Sequence, residues 1–477
     1  MVLRPAPLAR WLIGLLRWLL RLGMVPLVAR HRPRVALGWL ALIFASPWVG
    51  IPIYLLFGEF GTRRSVRRHA RIHARLQQDE RVEEEASWAL ARPEEVDDDD
   101  DVVEMVRLVD RMTAARSDGL PILAGNRVDF FHDTEKGVDA LVEAIDRAEH
   151  HVHLLFFIFN TDRTGRRVGE ALVRAARRGV VCRVLADDYG SGRLAEPSFF
   201  TALGPELVAG GVQVGRMLPI RKARRPLARL DIRNHRKLAV IDGRLGFAGS
   251  LNLHDADFAL PEGTWRQLTA RLAGPAVHQL QILFVEDWSF ATGELLDHDE
   301  YFPEAEREGE VYVQTVPGGP TYESDFMEQL VIAAIDRADH RVIVASPYFV
   351  PTEATLIALR LAALRGVEIQ LVVPRKSDQT FADSAGRAFF DQLLKDGVEV
   401  YLHERGLLHS KALSVDDRFA IVGSANFDRR SFYVNYELAL VLYDQDTARS
   451  VRECQEEYLA DAKRLDLDEW RARPRLE

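Results

Sequence analysis

A motif of six residue types at fixed spacing occurs twice in this 477-residue chain. The first copy, HRKLAVIDGRLGFAGSLN, begins at His235, and the second, HSKALSVDDRFAIVGSAN, begins at His409. Both have the form His-x-Lys, four residues, Asp, six residues, Gly-Ser-x-Asn. The two copies indicate two similar structural units, so this duplication constrains the fold more than any other feature of the sequence.

The segments that precede the motifs are duplicated as well. The sequences AIDRAEHHVHLLFFIF, from Ala144, and AIDRADHRVIVASPYFV, from Ala334, each predict the end of a helix, a turn and a buried strand. A second predicted helix follows in each half, with Gly179 or Gly366 at its end, and then another strand. This order predicts an α/β fold of two similar lobes, with mostly parallel sheets flanked by helices and related by a pseudo-two-fold axis.

The amino-terminal part of the chain is apolar enough to anchor it in a membrane. Residues 35–57 include no charged side chain, and 23 residues of helix rise about 34 Å, which exceeds a hydrocarbon layer of about 30 Å. Pro47, Gly50 and Pro52 leave a kinked or re-entrant hairpin open. The run from Trp11 to Ala29 has arginines on one face and is expected to lie in the interface or to span.

The distribution of charge divides the rest of the chain. Six arginines between residues 63 and 75 are expected to keep the following residues on the cytoplasmic side of the membrane. The acidic stretch RVEEEASWALARPEEVDDDDD has little to bury and lacks the pattern of a calcium loop, so we interpret it as a spacer. We therefore expect a membrane anchor of one or two helices over residues 1–62, a basic then acidic linker over 63–115, a first lobe over 116–300 and a second lobe over 301–477.

Composition and residue spacing argue against several kinds of site. Cys182 and Cys454 exclude a disulfide framework, and each is interpreted as a small buried apolar residue. The formal charge of −9 argues against a general nucleic-acid binder, and no nucleic-acid partner is expected. No metal site and no cofactor are expected, because the histidines lack ligand spacing; the ones interpreted as surface or turn residues are His150, His151, His153 and His254.

The duplicated residues form a set that suits a phosphodiester. Alternation along a strand places His235 and Lys237 on one face, and it does the same for His409 and Lys411. The lysines can neutralise the non-bridging phosphate oxygens without a metal. One histidine can attack phosphorus to form a covalent phosphohistidine, while the other protonates the departing alkoxide and then deprotonates the acceptor hydroxyl.

Four further residues complete the two motifs. Asn252 and Asn426 return beside the histidines after each turn and are expected to donate amide hydrogen bonds to the phosphate. Asp242 and Asp416 belong to the catalytic signature. Their predicted position at strand-to-turn junctions nevertheless favours a role in holding the turn over proton transfer.

Both motifs match the His-x-Lys-x₄-Asp signature of the phospholipase D superfamily, and the chain resembles the bacterial cardiolipin synthases within it. The resemblance covers nearly the whole chain and includes YLLFGE, DDYGS, SPYFVP and GSANFDRRSFYVNYE. It implies transfer of a phosphatidyl group from one phosphatidylglycerol to another, with release of glycerol, by an enzyme of the bacterial inner membrane. It also implies that His235 is the nucleophile and His409 the general acid and base.

The resemblance further implies an acidic residue downstream of each motif that fixes the tautomer of the histidine. Glu437 matches this position in the second half, whereas Gln267 stands there in the first half, within WRQLTARLAGPAV. Glutamine can accept a hydrogen bond but cannot offset the charge of an imidazolium. We therefore expect slower chemistry at His235, or a substitute carboxylate such as Asp255 or Asp257.

Two other functions explain part of the sequence. A membrane-anchored phosphodiesterase of the same superfamily, acting on phospholipids or nucleic acid, would use the same motifs but would not need the anchor. A catalytically inactive membrane scaffold would not need His, Lys and Asn in both copies. Phosphatidylglycerol is the acceptor that the resemblance implies, although phosphatidylethanolamine or a small alcohol would use the same intermediate.

Overall fold

A computed structural model of the chain describes residues 7–29, 33–57, 72, 87–97, 99–114, 120–194, 197–220, 231–258, 264–296, 299–322 and 325–473. The arginine cluster over residues 63–75 lies outside these described residues. The chain divides into two compact units, one comprising Met1–Ser65 with Ile220–Asp231 and the other Val66–Pro219 with Ile232–Glu477. Both copies of the motif belong to the second, larger unit.

The α-helices of the described residues are α1 (Pro7–Val28), α2 (Pro33–Ala45), α3 (Pro47–Phe57), α4 (Pro93–Val96), α5 (Asp100–Ala114), α6 (Thr134–Arg147), α7 (Arg163–Arg177), α8 (Gly190–Arg193), α9 (Leu203–Ala209), α10 (Ala276–Thr292), α11 (Phe326–Asp336), α12 (Glu353–Leu364), α13 (Thr380–Arg387), α14 (Phe390–Lys395), α15 (Arg429–Tyr433), α16 (Gln445–Ala460) and α17 (Leu467–Ala472). Short 3₁₀ helices cover Ser87–Ala89 and Asp299–Tyr301.

The strands are β1 (Leu123–Phe131), β2 (His151–Phe156), β3 (Val181–Asp187), β4 (Gln213–Met217), β5 (Leu238–Ile241), β6 (Leu245–Gly249), β7 (Trp265–Arg266), β8 (Thr269–Ala273), β9 (Val311–Gly318), β10 (Arg341–Ala345), β11 (Phe349–Val350), β12 (Glu368–Pro374), β13 (Glu399–His403), β14 (Leu407–Leu408), β15 (Ala412–Val415), β16 (Phe419–Gly423), β17 (Phe427–Asp428), β18 (Glu437–Tyr443) and β19 (Ala462–Arg464).

The apolar amino-terminal sequence forms three helices. Within α1, the 18 residues Trp11–Val28 are long and apolar enough to cross a membrane. Residues 35–57, which the sequence predicted as one spanning helix, instead form α2 and α3 with a break at Ser46. The proline at position 47 explains the break, because it has no N–H to donate and disfavours helical backbone at the preceding residue. The long apolar helix of this unit is therefore α1, and it is consistent with a membrane anchor.

Helices α2 and α3 fold back on each other as a hairpin. The rings of Trp39 and Tyr54 lie 5.3 Å apart, whereas 15 residues of continuous helix would separate them by about 22 Å. A Cβ atom on Gly50 would lie 2.7 Å from the Cα of Ile43, so only glycine permits this approach of the two helices. The hairpin alternative indicated by Pro47, Gly50 and Pro52 is the one that the structure adopts.

One fifteen-stranded sheet runs through both lobes of the larger unit. The strands lie in the order β19-β13-β12-β10-β15-β16-β18-β9-β1-β8-β6-β5-β2-β3-β4. The antiparallel pair β1 and β9 lies at the centre once β19 is left aside. From this centre outwards the strands of the two lobes correspond one to one, with β1-β8-β6-β5-β2-β3-β4 on one side and β9-β18-β16-β15-β10-β12-β13 on the other. The prediction of two similar α/β lobes is confirmed. The sheet is mixed and not mostly parallel, because each motif hairpin, β5–β6 or β15–β16, pairs antiparallel with its neighbours.

Apolar side chains of both lobes meet in a shared core. This core contains Leu238 and Val240 of the first motif, Val422 of the second, and Leu438 and Leu440 of β18. Helix α10 also contributes buried side chains to it. Continuous sheet and shared core together hold the two motifs in a fixed relation.

Part of the predicted linker belongs to the folded body. Helix α5 buries Val102, Met105, Val106 and Val109 in the core of the second lobe. Their spacing of three and four residues is that of an amphipathic helix, a pattern that the neighbouring aspartates obscured. The prediction of a linker through residue 115 was therefore wrong for α5.

Both cysteines are buried, as predicted, but two of the histidines interpreted as surface residues are in the core. His151 and His153 are buried on β2, an inner strand that pairs with β3 on one side and with β5 on the other. Their rings lie 4.6 Å apart, and Nε2 of His153 is 3.2 Å from a guanidinium nitrogen of Arg183. Burial lowers the pKa of His151 to about 4 and that of His153 well below its ordinary value.

Because these histidines are buried in the neutral form, we expect acid to lower the stability of the fold. Burial also lowers the pKa of His278 to about 4, so between pH about 6.5 and 4 the unfolded chain binds protons that the folded chain does not. The free energy of unfolding should fall across this window by up to about 1.4 kcal/mol per pH unit for each such group. Thermal unfolding of the detergent-solubilised chain at pH 7.5 and pH 5 measures this loss, and equal midpoints would contradict it.

Candidate active site

The two motifs lie at corresponding edges of the sheet. Strand β5 pairs antiparallel with β2, so His235 and Lys237, which precede β5, lie at the carboxyl end of β2. Strand β15 pairs in the same way with β10 and brings His409 and Lys411 to the carboxyl end of β10. The segments after β6 and β16 return Asn252 and Asn426 to these edges. Each histidine and lysine thus lies immediately before its strand and not on it as predicted, and each pair lies at the same edge of the sheet as its asparagine.

Both lysines are buried and oriented by the backbone. Lys237 Nζ donates to the carbonyl oxygen of His235 at 2.6 Å, and Lys411 Nζ donates to that of His409 at 2.7 Å. Burial lowers the pKa of Lys237 to about 7, although Glu437 and Asp187 act in the opposite direction. The pKa of Lys411 is lowered further by burial and by Lys237. An anion bound between the two ammonium groups would offset both penalties.

A carboxylate from the second lobe orients the histidine of the first. His235 Nδ1 lies 3.0 Å from Glu437 Oε2 and 3.1 Å from the carbonyl oxygen of Ser424. Both partners can only accept, so Nδ1 carries the hydrogen and Nε2 keeps its lone pair. Glu437 also accepts from the hydroxyls of Ser424, at 2.5 Å, and Ser431, at 2.9 Å.

The charges of this pair follow from the surroundings. Burial lowers the pKa of His235 to about 4, and Glu437 opposes this only in part. Burial alone would raise the pKa of Glu437, but His235, Lys237 and the hydrogen bonds lower it below its ordinary value. A neutral imidazole therefore stands beside an ionised carboxylate.

The orienting residue of the first histidine comes from the other lobe. Glu437 was expected beside His409 and Gln267 beside His235, but Glu437 is hydrogen-bonded to His235. The backbone N–H of His235 donates to the carbonyl of Tyr436, and that of His409 donates to the carbonyl of Arg266, each at 2.8 Å. Each histidine is thus bonded to the residue that precedes the other lobe's orienting position.

Gln267 accepts the backbone N–H of Asn252 through Oε1 at 2.9 Å. Its Nε2 atom and Nδ1 of His409 are both buried without a hydrogen bond in this structure. The suggested substitute carboxylates do not contact His235. Asp255 accepts hydrogen bonds from Thr164, and Asp257 is exposed. His235 needs no substitute, because Glu437 serves it.

The two signature aspartates hold turns and lie away from the histidines and lysines. Asp242 and Asp416 have φ values of 54° and 51°, the left-handed backbone of a tight turn. The carboxylate of Asp242 accepts three backbone N–H groups at 2.7–2.9 Å, and that of Asp416 accepts three at 2.5–2.9 Å. Although both aspartates belong to the catalytic signature, these contacts support the turn-holding role that the sequence favoured over proton transfer.

Comparison with known proteins gives a consistent result. The family model described as "Cardiolipin synthase, PLD-like domain" matches residues 141–288 and 331–459, one match in each lobe. The chain is 32% identical to cardiolipin synthase A of Serratia proteamaculans and to that of Yersinia pseudotuberculosis, over 97% of this chain and 95% of each relative. The chain belongs to the cardiolipin synthase family. It is an enzyme of the phosphatidyltransferase type, and membership of this family implies a phospholipid substrate and association with the membrane.

A solved structure supports the fold. The crystal structure of phosphatidylserine synthase from Haemophilus influenzae aligns with a TM-score of 0.58 at 14% identity, and the alignment covers 76% of this chain and 92% of that one. The cardiolipin synthase family assignment and the two-lobe architecture therefore agree.

Two residues of this cardiolipin synthase family member were not found from the sequence. Arg236, between His235 and Lys237, is fully buried; it donates to Asp287 at 2.8 Å and to the carbonyl of Glu437 at 3.0 Å. The available signal was its alternation with Leu238 and Val240, which places it on the face opposite His235 and Lys237. His254, interpreted as a surface or turn residue, is also buried, and its ring packs 4.4 Å from that of Trp265.

Removing the charge of Glu437 should abolish most activity. Glu437→Gln leaves a group of equal size that cannot stabilise a cationic imidazole, and we expect the rate of phosphatidyl transfer to fall by about a hundredfold or more. Glu328→Gln, which alters another buried carboxylate of the second lobe, is the matched control. Turnover of Glu437→Gln within twofold of wild type, at equal thermal stability, would contradict the orienting role.

Proposed function

We propose that this chain transfers a phosphatidyl group from one phosphatidylglycerol to another, releasing glycerol, with His235 as the nucleophile. The observation that carries this proposal is the hydrogen bond from His235 Nδ1 to Glu437, which leaves the Nε2 lone pair for attack. The family relationship supports the choice of lipid, because the relatives are named cardiolipin synthase A.

In the first step, the phosphodiester of the donor lipid binds between Lys237 and Lys411. The amide groups of Asn252 and Asn426 donate to its non-bridging oxygens. His235 Nε2 forms a bond to phosphorus, the bond from phosphorus to the glycerol headgroup oxygen breaks, and His409 donates a proton to that oxygen. The ionised Glu437 stabilises the positive charge that develops on His235.

In the second step, a glycerol hydroxyl of the acceptor phosphatidylglycerol attacks the phosphohistidine. His409 removes the proton from this hydroxyl, the bond from nitrogen to phosphorus breaks, and cardiolipin forms. Burial and the neighbouring lysines hold the pKa of His409 well below its ordinary value. This favours the neutral base that the second step requires, while a bound phosphodiester would raise the pKa and favour the acid of the first step.

The proposal includes the arrangement of the chain at the membrane. Residues 1–62 form the anchor, residues 116–300 and 301–477 the two lobes, and the lobes lie on the cytoplasmic side of a bacterial inner membrane. The apolar helix α1 supports the anchor, and the arginines between residues 63 and 75 support the orientation through the positive-inside rule. Residues 63–115 form the linker except for α4 and α5, which are helices with buried apolar side chains.

Product analysis tests the proposal. The detergent-solubilised full chain is incubated with labelled phosphatidylglycerol in the presence of a chelator, and the products are resolved by mass. We expect cardiolipin and glycerol, with a loss of at least a thousandfold in His235→Ala and His409→Ala. His150→Ala, which removes an exposed histidine, is the control.

A different product would favour the alternative enzyme. If phosphatidic acid is the main product, water is the acceptor and the chain is a phospholipase D-type hydrolase. Cleavage of added nucleic acid would indicate a membrane-anchored nuclease instead. Cardiolipin formation that survives loss of His235 would contradict its role as nucleophile.

We also propose that Gln267 orients His409 as the counterpart of Glu437. Gln267→Glu keeps the length of the side chain and adds a negative charge beside His409, which should raise the pKa of His409. We expect several-fold faster turnover at pH 7.5 and a shift of the basic limb of the pH–rate profile by about one unit to higher pH. An unchanged profile would contradict this role, and Gln267→Asn tests whether a shorter amide retains the wild-type profile.

A further inference from the structure

A third buried histidine lies near the two catalytic ones and has no role in the steps above. His254 follows Asn252 by two residues, and its ring is 4.4 Å from that of Trp265. The ring of Trp265 is in turn 4.6 Å from that of His409. His254 is also close enough to His409 that a charge on His254 lowers the pKa of His409.

Two neighbouring segments bring His254 to this position. At one end, the N–H of Asn252 donates to Gln267 Oε1 at 2.9 Å, and at the other, His254 packs on Trp265. Trp265 and Gln267 are two residues apart in an extended segment, so their side chains point to the same side. Residues 252–254 and 265–267 therefore form one wall beside His409.

The tautomer of His254 follows from its partner. Nδ1 lies 2.8 Å from the carbonyl oxygen of Asp255, which can only accept, so Nδ1 carries the hydrogen. Nε2 is then a lone-pair acceptor, and it is buried without a hydrogen-bond partner. Burial lowers the pKa of His254, so the ring is neutral at neutral pH.

The other polar atom without a hydrogen bond on this wall is a donor. Gln267 Nε2 is buried and unpartnered, and an amide nitrogen can only donate. A neutral acceptor and a neutral donor on one wall match a hydroxyl, which both donates and accepts. An ammonium group can only donate and would leave Gln267 unsatisfied.

The nearby carboxylates are already engaged by the protein. Asp162, Asp255 and Asp378 are the charged groups that raise the pKa of His254 against the effect of burial. Asp162 accepts from Asn160 at 2.7 Å, Asp255 from the Thr164 hydroxyl at 2.7 Å, and Asp378 from the Tyr348 hydroxyl at 2.5 Å. A cationic headgroup would have to compete with these donors and with the two catalytic lysines.

We infer that His254 Nε2 and Gln267 Nε2 form a subsite for the polyol headgroup of the acceptor lipid, and that His254 selects a glycerol hydroxyl over an ethanolamine headgroup. The inference rests on the proposed transferase function and assigns its acceptor class. His254 is a specificity residue in this scheme, and the phosphodiester of the donor lipid does not contact it.

Soluble acceptors separate this subsite from the donor site. The full chain in detergent receives phosphatidylglycerol as donor and either labelled glycerol, ethanolamine or water as acceptor, and the three lipid products are quantified. His254→Phe keeps the ring that packs on Trp265 but removes Nε2. We expect the KM for glycerol to rise about tenfold and the preference for glycerol over ethanolamine to fall about tenfold, the effect of one lost hydrogen bond. Formation of phosphatidic acid with water should be unchanged.

Two further variants sharpen the comparison. His254→Gln places an amide oxygen near the position of Nε2 and should restore most of the preference for glycerol. His278→Phe makes the same change at a buried histidine outside the site and should not alter it. If His254→Phe does not fold, His254→Leu replaces it in the comparison with His254→Gln.

The outcomes are distinct. An unchanged KM for glycerol in His254→Phe overturns the inference, and so does an equal fall of the glycerol, ethanolamine and water reactions, which would indicate a structural role. If the wild-type chain makes cardiolipin but the variants do not differ, the inference fails alone. If the wild-type chain makes only phosphatidic acid, the proposed transferase function fails first.

Discussion

The hydrogen bond between His235 and Glu437 is the interaction on which the rest of the site depends. The two residues are 202 positions apart and belong to different lobes. Their contact requires the antiparallel pair β1–β9, the core shared by both lobes, and the backbone bond from His235 to Tyr436. Either lobe alone would contain a histidine and a lysine without the group that fixes the tautomer. The duplicated architecture is therefore a condition of the chemistry.

A second constraint is the cost of burying cations. Lys237, Lys411 and Arg236 are all shielded from water, and among the residues that the structure describes only Arg236 of these three has a direct carboxylate partner, Asp287. The lowered pKa values of the two lysines express this cost. A phosphodiester supplies the missing negative charge, so binding relieves a penalty that folding imposed. The buried ion pair of Arg236 and Asp287 fixes the start of β5, next to Lys237, whether or not a phosphodiester is bound.

The sequence predicted two similar α/β lobes, each with its own histidine and lysine, because strand periodicity and the duplication are local signals. It did not predict which orienting residue serves which histidine. The resemblance implied Gln267 for His235, whereas the pairing of strands between the lobes brings Glu437 to His235. Burial was the other gap: His254 and the apolar face of α5 lie among polar neighbours in the sequence, and only tertiary packing reveals that they are covered.

The hydrogen bond between the lobes also has a consequence during synthesis of the protein. Lobes fold in the order in which they are synthesised, so the first can form while the second is still being translated. Its histidine and lysine would then be present, yet the carboxylate that orients the histidine is added only 202 residues later. A chain that ends before Glu437 lacks this carboxylate, so we expect it to have little activity until both halves have been translated.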